Sequence, residues 1–164
     1  MKRLIINLMS GSLFLLICSL GVKAQDTTYK VLPSITVTPA TKVPSEVNNS
    51  FNASFKDAVN PAWYKLDKKY LVTFLTADQK NRALYKNNGQ LVYHIRYGVE
   101  QNLPDDIRKM IKSNYVDYDI TLTIFVSQDQ RNIWVVNLED KSKYVVVRVE
   151  NGEMEEVENL KKSM

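Results

Sequence analysis

The 164-residue chain has a single cysteine and a single histidine, and only five glycines and five prolines. Cys18 lies in an apolar N-terminal segment, so a chain cut after that segment carries neither a thiol nor a disulfide. Its stability must then come from a hydrophobic core. His94 has no second histidine or cysteine to join it, whereas a zinc site takes three or four ligands. Asp117 and Asp119 share a strand face but lack the six or more oxygens of a calcium site. The serines show no nucleophile elbow, and there is no phosphate loop. This poverty of acid–base groups points to a non-catalytic binding module with no cofactor and no metal. The alternative is a small periplasmic hydrolase or metal-dependent enzyme with an unrecognised site.

A long uninterrupted apolar run is also missing. Leu4 to Leu20 is mostly apolar, but Asn7, Ser10, Gly11 and Ser12 break it short of a membrane span. Lys2 and Arg3 precede it, and Val22-Lys23-Ala24 ends it on a small residue. Residues 1–24 therefore read as a secretory signal peptide cut after Ala24. Ile17 is too large for the position before a lipidated cysteine. The chain is expected to be exported, to the periplasm, the cell surface or beyond, with no stable membrane insertion after cleavage. The 22 basic and 18 acidic residues give a formal charge of +4. Three of those basic residues are Lys2, Arg3 and Lys23, so the processed chain is close to neutral. That balance gives no electrostatic case for a nucleic-acid partner.

What is present is a repeated pattern. Residues 25–45, with Pro33, Pro39 and Pro44, read as a flexible leader. Ser34-Ile-Thr-Val-Thr-Pro39 within it has the alternation and β-propensity of a docking strand, but the favoured expectation is a tether that clears the domain from a membrane or a complex. Glu46 to Val59 places Val47, Phe51, Phe55 and Ala58 on one helical stripe, with Ser45 as its N-cap. Asn60-Pro61 ends that helix. Short strands follow at Trp63–Leu66, Tyr70–Thr76, Arg82–Lys86 and Gln90–Gly98, with Asn88-Gly89 as a hairpin turn. The order then recurs. Pro104–Asn114 is a helix with Ile107, Met110 and Ile111 on one face and Asp105 and Asp106 at its positive end. Strands follow at Tyr118–Val126, Arg131–Leu138, Lys143–Val149 and Glu153–Val157, with Asn151-Gly152 between the last two. The expected fold class is α+β: two tandem units, 46–98 and 99–164, each with one helix packed on a four-stranded antiparallel meander sheet.

The spacing Phe51-x-x-x-Phe55-x-x-Ala58, with Trp63 and Tyr70-x-Val72-x-Phe74 behind it, carries a resemblance. So does Leu103-Pro104-x-x-Ile107-x-x-x-Ile111-x-x-x-Tyr115. Together they are similar to the PepSY-like, β-lactamase-inhibitor-like domains of small secreted bacterial proteins. The resemblance covers Val47 to Val157. It implies an exported protein built for binding; the named relative blocks β-lactamases through the concave face of its sheet. No contact residue of that inhibitor is matched here, so the architecture carries over and the inhibition does not.

One helix covers one face of its sheet, so each unit has a second face to hydrate, self-associate or offer to a protein or peptide partner. Strand alternation through Tyr118, Ile120, Leu122, Ile124 and Val126 assigns Thr121, Thr123 and Phe125 to the open face. Tyr144, Val146 and Arg148 join them, as do Val92, His94 and Arg96 in the first unit. Phe125, Tyr144 and Arg148 are the expected anchors, with Trp134, His94 and Arg96 as further candidates. Removing Phe125 and Tyr144 together is then expected to leave folding nearly intact.

Overall fold

The computed structural model describes residues 37–40, 42–77 and 79–163. The expected signal peptide and most of the leader lie outside the described residues. The elements are β1 (Val37–Pro39), α1 (Ser45–Ser54), β2 (Val59–Leu66), β3 (Lys69–Thr76), β4 (Gln79–Lys86) and β5 (Leu91–Gly98). A 3₁₀ turn (Glu100–Asn102) leads to α2 (Asp105–Asn114), β6 (Asp119–Gln128), β7 (Arg131–Glu139), β8 (Lys143–Glu150) and β9 (Glu153–Lys161). All nine strands form one antiparallel sheet in sequential order from β1 to β9.

The expectation of two separate four-stranded sheets is therefore corrected. β5 and β6 pair directly, from Tyr93 opposite Gln128 to Gly98 opposite Thr123. Two separate sheets would leave both strands as open edges with a row of unpaired N–H and C=O groups. Their pairing removes both edges at once. The leader also contributes, since Val37–Pro39 pairs with Leu66–Tyr64 as the edge strand β1. The other edge, β9, exposes Glu153, Glu155, Glu156 and Glu158, whose charges discourage further pairing.

The helices begin and end alike. Each starts behind a proline, and the first closing bonds run from Asn48 N–H to Pro44 O and from Arg108 N–H to Pro104 O. Each ends on an aromatic, where Phe55 N–H bonds Phe51 O and Tyr115 N–H bonds Ile111 O. Pro44 occupies the cap expected of Ser45, whose hydroxyl bonds Glu46 instead. α1 stops at Ser54, short of the expected Val59, and β2 takes up the chain at Val59. Pro61 is tolerated inside β2 because it sits at a bulge between Val59 and Ala62, beyond the reach of β1.

Both helices lie on the same face of the sheet. Cross-strand partners point to one side, and a single row runs Phe74, Asn81, Arg96, Phe125, Trp134, Val149 and Met154. Phe74 belongs to the cluster under α1 and Trp134 to the cluster under α2. Under α1, Val47 and Phe51 pack on Tyr70, Val72, Ala83 and Tyr85, with Trp63 at the border. Under α2, Leu103 and Ile111 pack on Ile120, Val136, Leu138, Val145 and Val147. Trp63, Tyr70, Val72, Phe74, Ile120, Val145, Val147 and Val149 thus line or border the cores. Leu122 and Ile124 do not: they point to the far face, opposite Asn137 and Val135.

Candidate functional site

The residues singled out by sequence divide between the two faces. His94, Arg96, Phe125 and Trp134 come together on the helix side, while Tyr144 and Arg148 lie on the far side. The expected assignment of Phe125 to the open face fails at one residue, and Trp134, a further candidate there, lies opposite Phe125 on the helix side. β6 bulges between Ile120, opposite Leu138, and Leu122, opposite Asn137. Thr121 is the extra residue, and it inverts the alternation of everything after it. Thr123 and Phe125 therefore turn toward the helices. Thr123 is 1% exposed and donates its hydroxyl to Val99 O at 3.3 Å. Along β5 the less apolar face, Val92, His94 and Arg96, is the one that looks at the helices. Ala83, under α1, is directly opposite His94.

β5 sits near the middle of the sheet, between the two helix clusters, and neither cluster includes His94 or Arg96. The result is a strip of half-buried side chains flanked by the two helices. Its second row is His94, Ser127 and Asn132, in register across three strands. Trp134 is buried at 7% exposure and forms the floor, with Phe125 against it at 5.0 Å between ring centroids. Phe55, from the end of α1, reaches over to His94 at 4.8 Å.

His94 is held in one orientation and one tautomer. The Asn81 amide, 2% exposed, donates to Gln79 O and to Thr76 Oγ1, both at 2.8 Å. Its oxygen is thereby turned to His94 and accepts from Nε2 at 2.9 Å. Nε2 carries the proton, and Nδ1 is left as an acceptor. Burial, and secondarily the Arg96 charge, pushes the imidazole down to about 4 from its ordinary 6.5. It is neutral at physiological pH.

Arg96 lies over the Phe125 ring at 5.1 Å and the Trp134 ring at 5.9 Å. Stacking holds its guanidinium flat. Its Nε is buried and makes no hydrogen bond among the described residues. No carboxylate pairs with it there either.

Acidification should destabilise the fold through His94. A histidine whose pKa is depressed on folding contributes stability that is fully present above pH 6.5 and lost as pH falls toward 4. For this half-buried ring the loss should be about 1–2 kcal/mol, and His94→Gln should flatten that part of the profile. Urea melts from pH 7 to pH 4 on both chains check it. Parallel profiles for the two chains would assign the acid sensitivity to other groups.

Tyr144 and Arg148 are both on the far face and both occupied. Arg148 pairs with Glu150 and, at 3.3 Å, with Glu155, and Arg131 reaches the same Glu150 at 2.6 Å. The Lys162 ammonium sits 4.7 Å from the centre of the Tyr144 ring. The Phe125/Tyr144 pair therefore spans two surfaces, and Phe125→Ala removes a ring packed on the α2 core. Sequence reasoning missed Asn81, Phe55 and Phe74 as neighbours of His94. A lone asparagine among Ala83, Tyr85 and Phe74 was the available signal for the first. A cleft of about 450 Å³ also opens beside Asn60, Thr73, Leu75, Lys80, Arg82 and Tyr97. Phe74 and Asn81 of the helix-side row also border it, while Thr73, Leu75, Lys80, Arg82 and Tyr97 alternate to the far face. The Arg82 guanidinium there is already stacked on Tyr97 at 5.6 Å, and no buried donor is left unmatched. No three potential metal ligands gather among the described residues, and no described helix is long and apolar enough to cross a membrane.

No family model matches the sequence, and no curated protein matches it. Solved structures do resemble the fold. A BLIP-like protein from Bacteroides fragilis superposes with a TM-score of 0.58 at 13% identity, over 76% of this chain and 94% of that one. A DUF2874 family protein from Bacteroides ovatus gives 0.57 at 16% identity, over 74% and 89%. A candidate periplasmic protein from Bacteroides eggerthii gives 0.55 at 12% identity, over 73% and 89%. The chain therefore has a BLIP-like fold, in line with the resemblance drawn from its helix and strand spacings.

Proposed function

We propose that this chain is an exported, non-catalytic binding module that takes a protein or peptide partner on the strip between α1 and α2. The observation that carries the reading is the convergence of His94, Arg96 and Phe125, half-buried, on the Trp134 floor. Flat aromatic rings and a stacked arginine give contact area and directional donors at little cost in rotamer entropy. His94 donates its Nε2 proton to the Asn81 amide, and among the described residues no hydrogen bond joins it to Ser127 across the strand pair or to a carboxylate. The BLIP-like protein and the candidate periplasmic protein among the structural neighbours favour binding and export over catalysis.

Ser127 lies between His94 and Asn132 on the strip and is half-buried. Ser127→Tyr should fill the strip without touching either core. It should weaken retention of exported proteins by immobilised chain by about tenfold or more. Tyr144→Ala, on the far face, should leave retention unchanged. Retention that survives Ser127→Tyr and falls with Tyr144→Ala would move the site to the far face. Export is checked separately by N-terminal sequencing of the secreted chain, which should begin at Gln25; an intact Met1 in the cytosol would refute it.

A further inference from the structure

We propose that the partner is acidic at the point of contact, and that it lays an Asp or Glu carboxylate on the Arg96 guanidinium. This rests on the strip being the binding surface. Arg96 is the least explained residue of the fold. A buried donor with no acceptor destabilises a protein, and native structures carry few of them. Two such atoms occur among the described residues, Tyr85 Oη and Arg96 Nε. Tyr85 is sealed in the α1 core, whereas Arg96 is half-buried on the strip, within reach of a partner. A methionine would cover Phe125 and Trp134 and carry no unmatched N–H, giving up only the cation–π attraction of the guanidinium to the two rings. Packing therefore does not account for an arginine at this position, and its charge must.

The surroundings leave that charge unanswered. The cross-strand neighbours of Arg96 are Asn81 and Phe125, and its neighbours along the strand on this face are His94 and Gly98. None is acidic. Asn81 is engaged with Gln79, Thr76 and His94. His94 donates through Nε2 to that amide and is neutral at pH 7, so it neither neutralises a nearby anion nor competes for one. Arg108, Lys112, Arg131, Arg148 and Lys162 all have carboxylates of their own within the chain. Arg82 has no carboxylate either, but it lies on the far face against Tyr97. Among the described arginines Arg96 alone combines the lack of a carboxylate with a buried N–H that has no acceptor. Its guanidinium is also fixed in advance, stacked on two rings, so little freedom is lost when a planar carboxylate meets it.

The test is selection of a random-peptide library, displayed without a free C-terminus, on the immobilised protein. Recovered peptides should share an Asp or Glu. Changing that residue to its amide should weaken binding to wild type about tenfold or more, the size of a charge-assisted hydrogen bond. Arg96→Gln should bind the acid and amide peptides equally, and Arg96→Lys should keep part of the preference. Arg96→Met should melt no lower than wild type; a large drop would make Arg96 a structural residue and overturn the proposal. It is also overturned if no recovered peptide distinguishes wild type from Arg96→Gln. A peptide lost on Ser127→Tyr but indifferent to its own acid leaves the strip as the binding surface and removes the carboxylate. Acidic peptides unaffected by either Ser127→Tyr or Arg96→Gln remove both.

Discussion

Phe51→Ala should cost about 3–5 kcal/mol of stability, and Ile111→Ala about 2–5 kcal/mol. Phe51 is 3% exposed and meets Phe74 at 5.0 Å, Trp63 at 5.3 Å and Phe55 at 5.6 Å between ring centroids. Ile111 is fully buried at the matching position of α2. Either loss is a large share of the 5–15 kcal/mol that holds a typical domain together. The form of the transition matters more than its size. With β5 and β6 paired, damage under α1 should be felt under α2, and each variant should unfold in one step. The chain has two tryptophans, Trp63 beside the α1 core and Trp134 within the α2 core. In a Trp63→Phe background, fluorescence reports Trp134 alone. For Phe51→Ala in that background, the fluorescence and circular dichroism midpoints in urea should coincide. A Trp134 signal that persists after half of the secondary structure is lost would mean two independently folding units.

The order of elements was legible in the sequence because it is local. Helical stripes, alternation and Asn-Gly turns act within a few residues, and α2 and β7 start within a residue of where the pattern puts them. The joining of β5 to β6 was not legible. It is a contact across an intervening helix, and nothing in either strand announces its partner.

The site was half legible, and for a related reason. The residue types were found, since a lone histidine and the arginines beside aromatics stand out in any strand. Their side of the sheet was not found. Period-two reasoning assumes unbroken alternation, and Thr121 breaks it without any special residue type to mark the place. On β5, placing Val92, His94 and Arg96 on the open face takes the apolar set Tyr93, Ile95 and Tyr97 as the core-facing side. That inference holds only where one face is buried, and β5 lies between the helices with both faces half-buried.

The two Asn-Gly turns look interchangeable in sequence and should respond very differently to the same substitution. Asn151 and Gly152 both have positive φ, 52° and 80°, as a two-residue hairpin requires. At the other turn only Gly89 is positive, at 81°, in a three-residue loop closed by Lys86 N–H to Gln90 O at 2.8 Å. A Cβ on Gly152 would meet nothing within 4 Å. Gly152→Ala should therefore cost only the left-handed backbone penalty, about 1–2 kcal/mol. A Cβ on Gly89 would sit 2.6 Å from Glu46 O and 2.8 Å from Ser50 Oγ. The carbonyl belongs to the first turn of α1 and cannot swing aside as a side chain can. Gly89→Ala should add the cost of pushing α1 off the loop to the backbone penalty, for a total of about 3 kcal/mol or more. That shift would pass along α1 to Phe51 and to Phe55, which touches His94 at 4.8 Å. Gly89→Ala should thus disturb the strip as well as the melt, and Gly152→Ala should disturb neither α1 nor His94. Urea melts of the two variants, with the His94 ring resonances followed alongside, read both effects. Equal losses of stability and an unmoved His94 in both chains would mean that the first turn does not brace α1 against the sheet.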